Sequence, residues 1–390
     1  MILPDNASPD ELEEIGFKYV KEGRVKEGLK LILRAARKYE EMRKNADAAR
    51  LYRYIGDYIA KKTGTEKARP YLLKAAYLYI DLVEREIAKP DVDINALDDY
   101  TLNVLEVFAS TGDTGLVKKY AMRFGNIYEE LGSSLEEIRE FKGAIRAYES
   151  AFQYYKMGES ESDLKRVASK LIDLYGNLAE SRINAGDIKG AADSFYELSK
   201  YIRATFGPDE HYIEMMETAA KNYEKASKLA YSEGDLDGTT ANLVRAEYAY
   251  LLSGNVGRAK LVGINAIRIL YQLVGNYRAE GDNKMLHKKL LELTEALIGV
   301  WKIEEAVAAY KETIELGAGL ADRILVRVAL LKSYISKKQE YPLLDIVDVV
   351  EFYVKRKRVA RAYEILVKVL EKDRELEEIN RKIYEAEGYY

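Results

Sequence analysis

The sequence contains no cysteine and only two histidines, His211 and His287, among its 390 residues. Without cysteine, a disulfide framework, a thiolate metal site and a thiol nucleophile are all excluded. Neither histidine belongs to an H-E-x-x-H or E-x-x-H motif of the kind that holds metal on a helix. We therefore expect no metal site and no cofactor site built on these residue types.

The motifs of common enzyme classes are also missing. The sequence has no G-x-x-x-x-G-K-[ST], no G-x-S-x-G and no G-x-G-x-x-G, and the pair Gly317 and Gly319 follows a helical pattern rather than a strand. Adjacent acids such as Glu13 and Glu14 have no predicted cleft that would shift their pKa values, and solvated helix faces account for them. We predict that the chain is not an enzyme and assign no catalytic residue.

Long apolar runs and an excess of basic charge are missing as well. Every apolar run is broken by charge before the roughly 18 residues that a membrane span requires, and residues 1–5 do not look like the start of a signal peptide. The 61 basic residues against 65 acidic ones give a net charge of −4, so nucleic acid is not expected as the main partner. We expect a cytoplasmic protein without a membrane span.

Apolar residues recur at helical spacing along most of the chain, as at Leu29, Ile32, Leu33 and Ala36, and this predicts an all-helical protein. Abundant lysine and glutamate with three glutamines and no cysteine are typical of hyperthermophiles and favour an archaeal or other prokaryotic source.

Helix ends are legible from capping signals. Ser8, Pro9 and Glu11 match a capping box with proline at the first helical position, so we expect the first helix to begin near residue 9. Glycines that follow apolar-periodic runs are predicted to end helices. These glycines are Gly23, Gly112, Gly132, Gly186, Gly234 and Gly254.

These signals predict three parts of the chain. Residues 1–8 are a short extension, residues 9–371 form a helical repeat array with a possible break near 88–96, and residues 372–390 hold a capping helix. The last helix carries Leu376, Ile379 and Ile383 on one stripe. We favour a cap that closes the array, and the alternative is a dimerisation helix.

Small residues recur at fixed offsets along the chain. Gly16 is followed by Gly28, and Gly56 by Ala68 and Leu72; similar offsets recur further along the sequence. Small residues at paired positions let two antiparallel helices pack at the close end of the usual range of about 8–10 Å. Because one hairpin cannot bury both of its apolar faces, such hairpins must stack. The sequence therefore predicts a stack of roughly eight helical hairpins.

This pattern resembles the tetratricopeptide repeat (TPR) superfamily. Its markers are more widely spaced than in standard members: Gly28 and Ala68 lie 68 − 28 = 40 positions apart, against about 34 in the family. The longer helices make it similar to soluble NSF attachment protein-like arrays. The resemblance implies an all-α, right-handed α-α superhelix, a TPR-like solenoid, that acts as a scaffold and binds a protein or peptide partner in its concave groove. The alternative is an RNA-binding helical-repeat protein.

The resemblance also suggests binding residues. In peptide-binding members, Lys, Asn and Arg on adjacent repeats clamp a terminal carboxylate, and Asn177, Lys221 and Lys225 match part of that clamp by offset. Two ammonium groups one helical turn apart can hold a carboxylate. Ordinary solvated lysines are the alternative explanation.

A second basic group lies in the predicted second hairpin. Arg50, Arg53 and Lys61 map to positions that face the groove of their repeat, so an acidic segment of a partner could dock there. The oligomeric state is left open between a monomer and a dimer through the C-terminal helix.

Tyrosine is unusually abundant, with 32 residues against 8 phenylalanines and 1 tryptophan. We expect most tyrosines at core positions of the repeats, with their hydroxyls reaching the solvent edge; examples are Tyr128, Tyr148 and Tyr310. Others, such as Tyr54 and Tyr58, are alternatively contact residues of the groove.

Overall fold

The structure is a computed structural model that describes residues 7–388, and within this range all regular structure is helical. Most of the predicted N-terminal extension, residues 1–6, lies outside this range. A short 3₁₀ turn spans Tyr341–Leu343. The α-helices of this range are α1 (Pro9–Lys21), α2 (Val25–Glu41), α3 (Asn45–Thr63), α4 (Thr65–Ile87), α5 (Ile94–Ser110), α6 (Thr114–Glu137), α7 (Phe141–Met157), α8 (Glu161–Asn184), α9 (Ile188–Phe206), α10 (Glu210–Ser232), α11 (Leu236–Leu252), α12 (Val256–Glu280), α13 (Asn283–Gly299), α14 (Ile303–Glu315), α15 (Leu320–Lys338), α16 (Leu344–Lys355), α17 (Val359–Leu370) and α18 (Arg374–Ala386).

Capping side chains fix many helix ends. The Ser8 hydroxyl accepts a hydrogen bond from the Glu11 amide at 3.2 Å, and the Glu11 carboxylate accepts one from the Ser8 amide at 2.8 Å, which confirms the predicted capping box. Glycines with positive φ follow several helices, as predicted at Gly186 and Gly234. The prediction for Gly132 is wrong: this residue lies inside α6, where it leaves room for the ring of Tyr148.

Paired small residues bring helices into close contact. A Cβ atom added to Gly28 in α2 would lie 2.6 Å from the Gly16 carbonyl oxygen of α1 and 2.9 Å from the Val20 amide nitrogen. Gly56 in α3 likewise faces Leu72 in α4. The predicted small-against-small and small-against-large pairs are therefore confirmed as contacts between the two helices of a hairpin.

Tyrosines fill the spaces that the small residues leave, as predicted. The rings of Tyr128, Tyr148 and Tyr310 are buried. The Tyr128 hydroxyl donates to the buried Asp98 at 2.7 Å, so in this case the hydroxyl is satisfied inside the core rather than at the solvent edge.

The chain divides into two compact units, one running to Leu164 and the other from Lys165, so the division falls inside α8. The predicted break near 88–96 is a short connection, because α4 and α5 pack against each other on either side of it. In the first unit, α5 follows the pairs α1–α2 and α3–α4 as an additional helix. It joins α7 through a hydrogen bond of 2.7 Å between the hydroxyls of Thr101 and Tyr154.

In the second unit, successive helices from α9 to α14 pack on each other, and the following helices fold back onto them. Lys200 of α9 pairs with Glu351 of α16 at 2.5 Å, and Arg203 pairs with Asp345 at 2.9 Å. The Ser336 hydroxyl of α15 donates to the Leu251 carbonyl oxygen of α11 at 2.8 Å.

This return of the chain is a feature that the sequence patterns did not predict, since a simple stack would bring each hairpin against its neighbours alone. In the second unit, part of the surface of α9 and α11 is covered by the chain itself. Ion pairs join the two parts of the chain here, because the cations of α9 meet carboxylates of α16. The predicted right-handed superhelical winding stays a prediction.

The last helix, α18, packs its apolar stripe on the preceding helices. Leu376, Ile379 and Ile383 are buried, and Glu387 at its end binds the buried Arg327 of α15 at 2.8 Å. The apolar stripe is thus covered by the chain itself, and the choice between a cap and a dimerisation helix stays a prediction. Within residues 7–388, none of the helices combines the length and apolar character that a bilayer crossing demands.

Candidate protein-binding surface

Three lysines form a row on α10. Lys221, Lys225 and Lys228 lie at positions i, i+4 and i+7, so helical geometry places them on one side of the helix, and all three are exposed. Lys221 pairs with Glu217 at 3.0 Å, whereas Lys225 and Lys228 form no ion pair with any described residue. Two ammonium groups of this row are thus available to an anionic ligand.

The start of α12 adds a guanidinium beside this row. Arg258 donates a hydrogen bond from Nε to the Glu224 carboxylate at 2.8 Å, and its Nη2 forms an ion pair with the same carboxylate. Burial acts to raise the pKa of Glu224, but the hydrogen bonds from Arg258 outweigh it and hold that pKa below its usual value. Glu224 is therefore ionised at neutral pH and fixes Arg258 at the edge of the lysine row.

These side chains surround an open depression between α10 and α12, with a volume of about 640 Å³. The residues that line it are Lys221, Glu224, Lys225, Lys228, Tyr250, Asn255 and Arg258. Four of them are cations and one is an anion, so the depression is positively charged and suits a carboxylate-bearing ligand.

The structure separates the predicted clamp residues. Lys221 and Lys225 line the depression together, as their spacing predicts. Asn177 lies on α8 and is not among the described residues that line it. A clamp made of all three residues is therefore not assembled here, and the two lysines act instead with Lys228 and Arg258.

The second predicted group is largely engaged by the chain. Arg50 pairs with Glu13 at 2.9 Å, and Arg53 pairs with Glu106 of α5 at 2.8 Å. Lys61 is exposed near the end of α3 and has no ion pair with any described residue. A partner's acidic segment would have to displace the carboxylates that hold the two arginines, so docking at this group stays a prediction.

Two cations of the depression, Lys228 and Arg258, were not predicted from the sequence. Lys228 continues the row by one turn, and its i, i+4, i+7 spacing is a signal that could have indicated it. Arg258 lies on another helix, α12, and nothing local in the sequence indicates that it reaches Glu224. Among residues 7–388, no group of three or more histidine, aspartate or glutamate side chains is arranged to hold a metal ion.

A scan against protein-family models finds no match for this chain, and a search of curated proteins finds none either. Among solved structures it is similar to a circular tandem repeat protein with novel repeat topology, at 17% identity and a TM-score of 0.25 over 97% of this chain and 89% of that one. It is also similar to a Rap protein complexed with competence and sporulation factor, at 14% identity and a TM-score of 0.28 over 92% and 99% of the two chains. A third structure is the TPR domain of P58(IPK), at 12% identity and a TM-score of 0.20 over 98% of both chains.

These scores are too low to carry an argument from those proteins to this one. The class rests on the chain's own helices: within the described residues it is an all-α, TPR-like protein with helical hairpins, such as α1–α2 and α3–α4, whose two helices meet at small residues.

Proposed function

We propose that this chain is a non-enzymatic scaffold that binds a protein or peptide partner, and that an acidic segment of the partner docks in the depression between α10 and α12. The observation that carries the proposal is the group of Lys221, Lys225, Lys228 and Arg258 around one open depression. Their combined charge attracts carboxylates, and the two lysines without an ion pair need not give up an existing contact on binding.

The proposal moves the binding site away from the groove that the family resemblance implies. In the second unit, α15 and α16 cover part of α9 and α11, whereas the lysine row of α10 is exposed. A cytoplasmic location and a hyperthermophilic, archaeal source stay predictions from composition.

The test measures binding of a fluorescently labelled peptide rich in glutamate by fluorescence anisotropy. We expect Lys221→Glu/Lys225→Glu to weaken binding by about tenfold or more, because two attractive charges become repulsive. Raising the salt concentration should also weaken binding by the wild-type protein, since the lysines are exposed and screened.

Lys26→Glu/Lys30→Glu is the matched control. These two lysines of α2 are exposed, lie four positions apart and form no ion pair with any described residue. An equal loss of peptide affinity in the two variants would show that only the net charge of the protein matters and would contradict the proposal. An RNA oligonucleotide in the same assay tests the alternative partner: binding of RNA, and not of the acidic peptide, would replace the proposal.

A further inference from the structure

The outward face of α12 carries an apolar stripe beside the basic depression. Leu261, Ile264 and Tyr271 are 58%, 47% and 50% exposed. Large apolar side chains exposed together on one helix are uncommon on a surface that contacts only water. The Tyr271 hydroxyl donates a hydrogen bond to Glu305 of α14 at 3.3 Å, so Leu261 and Ile264 are the residues whose exposure calls for an explanation.

The stripe has the spacing of a helix-packing seam. Its outward positions are Gly257, Leu261, Ile264, Arg268, Tyr271 and Gly275, separated by 4, 3, 4, 3 and 4 residues. This alternation keeps one line of side chains facing a second helix packed alongside. An extended peptide, whose side chains repeat every second residue, would not match it.

The two glycines at the ends of the stripe have no role in the chain's own packing. A Cβ atom added to Gly257 or Gly275 would meet nothing within 4 Å, and neither residue has a positive φ. Glycine inside a helix lowers helix stability relative to alanine. Small residues at these places would let the backbone of a partner helix approach closely.

The charges around the stripe indicate which side chains a partner helix would carry. Besides the four cations of the depression, α12 exposes Lys260 and Arg268, which form no ion pair with any described residue. Two acids of α10, Glu217 and Glu224, are already paired with cations of the depression. The surface is thus basic as well as apolar.

We infer that the partner segment is an acidic amphipathic helix, which lies along α12 with its apolar residues on Leu261, Ile264 and Tyr271 and its carboxylates toward the depression. This inference rests on the proposed function, because it specifies the conformation and patterning of the acidic segment proposed above.

The test compares two labelled peptides of one composition and about 20 residues, enough for a helix of about 30 Å. One has leucines at heptad a and d positions with glutamates elsewhere, and the other has the same residues in scrambled order. We expect the patterned peptide to bind about tenfold more tightly. Leu261→Gln/Ile264→Gln, which changes no charge, should remove this preference.

Ile138→Gln/Phe141→Gln is the matched control, since these side chains have the same spacing and are 69% and 49% exposed. It should keep the preference. Equal affinity for the two peptides, with dependence on Lys221 and Lys225 intact, would overturn this inference alone. Loss of the lysine dependence for both peptides would instead overturn the proposed function.

Two other occupants are tested with the same variants. If Leu261→Gln/Ile264→Gln abolishes binding to phosphatidylglycerol vesicles and the patterned peptide does not bind, the stripe serves a membrane surface. If the wild type is a dimer by sedimentation velocity and this variant is a monomer, the stripe serves a second copy. Either result overturns the inference.

Discussion

Glu247 of α11 is a buried acid with an unusual environment. Its side chain is fully buried between Gly263 of α12 and Gly299 of α13, and neither carboxylate oxygen has a hydrogen-bond partner among the described residues. Burial, reinforced by the nearby Glu295, raises the pKa of Glu247 well above its usual value. Burial likewise raises the pKa of Glu295 to about 8. Both groups therefore hold protons in the folded state at a pH where the unfolded chain has lost them.

This difference predicts how stability depends on pH. A carboxyl group with a raised folded pKa contributes stability below its unfolded pKa of about 4.3, and this contribution is lost as pH rises through the folded pKa. The free energy of unfolding should therefore fall as pH rises from about 5 to about 8. Glu247→Gln should reduce this fall, because the amide does not ionise.

Urea unfolding of the wild type and Glu247→Gln at several pH values checks this prediction. If the free energy of unfolding depended on pH in the same way for both proteins, the prediction would be contradicted. Glu351 has the opposite effect on stability. Burial acts to raise its pKa, but Lys200 and Lys332 hold that pKa well below its usual value. Its contribution to the free energy of unfolding is therefore lost as the solution becomes strongly acidic.

At the scale of the elements, the hairpins depend on how closely two helices approach. Gly28 in α2 touches the backbone of α1, whereas Gly275 in α12 faces open space. Gly28→Ala should destabilise the protein, because the added methyl group would force the two backbones apart. Gly275→Ala should stabilise it by about 0.5–1 kcal/mol, the usual difference between glycine and alanine in a helix.

Thermal unfolding of the two alanine variants provides the comparison. A lower Tm for Gly28→Ala and a higher Tm for Gly275→Ala are expected. Equal shifts of one sign would show that helix propensity alone governs both sites, and would contradict the close approach of α1 and α2.

Sequence patterns predicted the hairpins well and the contacts between distant helices poorly. The pairing of Gly16 with Gly28 follows from small residues at a local offset. The contact of Lys200 and Arg203 with α16 joins residues about 150 positions apart, and no local pattern indicates it. In the depression between α10 and α12, Lys221 and Lys225 were predicted because their offsets match the carboxylate clamp of the TPR family, whereas Arg258 required knowledge of which helix lies beside α10.

At the scale of the second unit as a whole, the return of α16 onto α9 should contribute strongly to stability. Arg203 is buried and pairs with Asp345 and Asp348. Arg203→Ala removes this cation, and removing one partner of a buried ion pair costs about 3–5 kcal/mol. Because the Asp345 side chain is 45% exposed, we expect a loss at the lower end of that range. Faster amide hydrogen exchange in α16 should accompany the loss, because this helix would open more often.

Arg50→Ala is the control for this prediction. The side chain of Arg50 is 48% exposed in its pair with Glu13, so its loss should cost no more than about 1 kcal/mol. A similar loss of stability in both variants would show that the ion pairs with α16 stabilise the protein no more than an exposed ion pair does.

The most direct test of the proposed binding site reverses the charges of both the depression and the peptide. Lys221→Glu/Lys225→Glu/Lys228→Glu should lose the glutamate-rich peptide and gain affinity for the same peptide with lysine in place of glutamate, while the wild type shows the opposite preference. Anisotropy titrations of both peptides against both proteins give the four affinities. If the variant still binds the glutamate-rich peptide as tightly as the wild type does and fails to bind the lysine peptide, the depression between α10 and α12 is not the binding site.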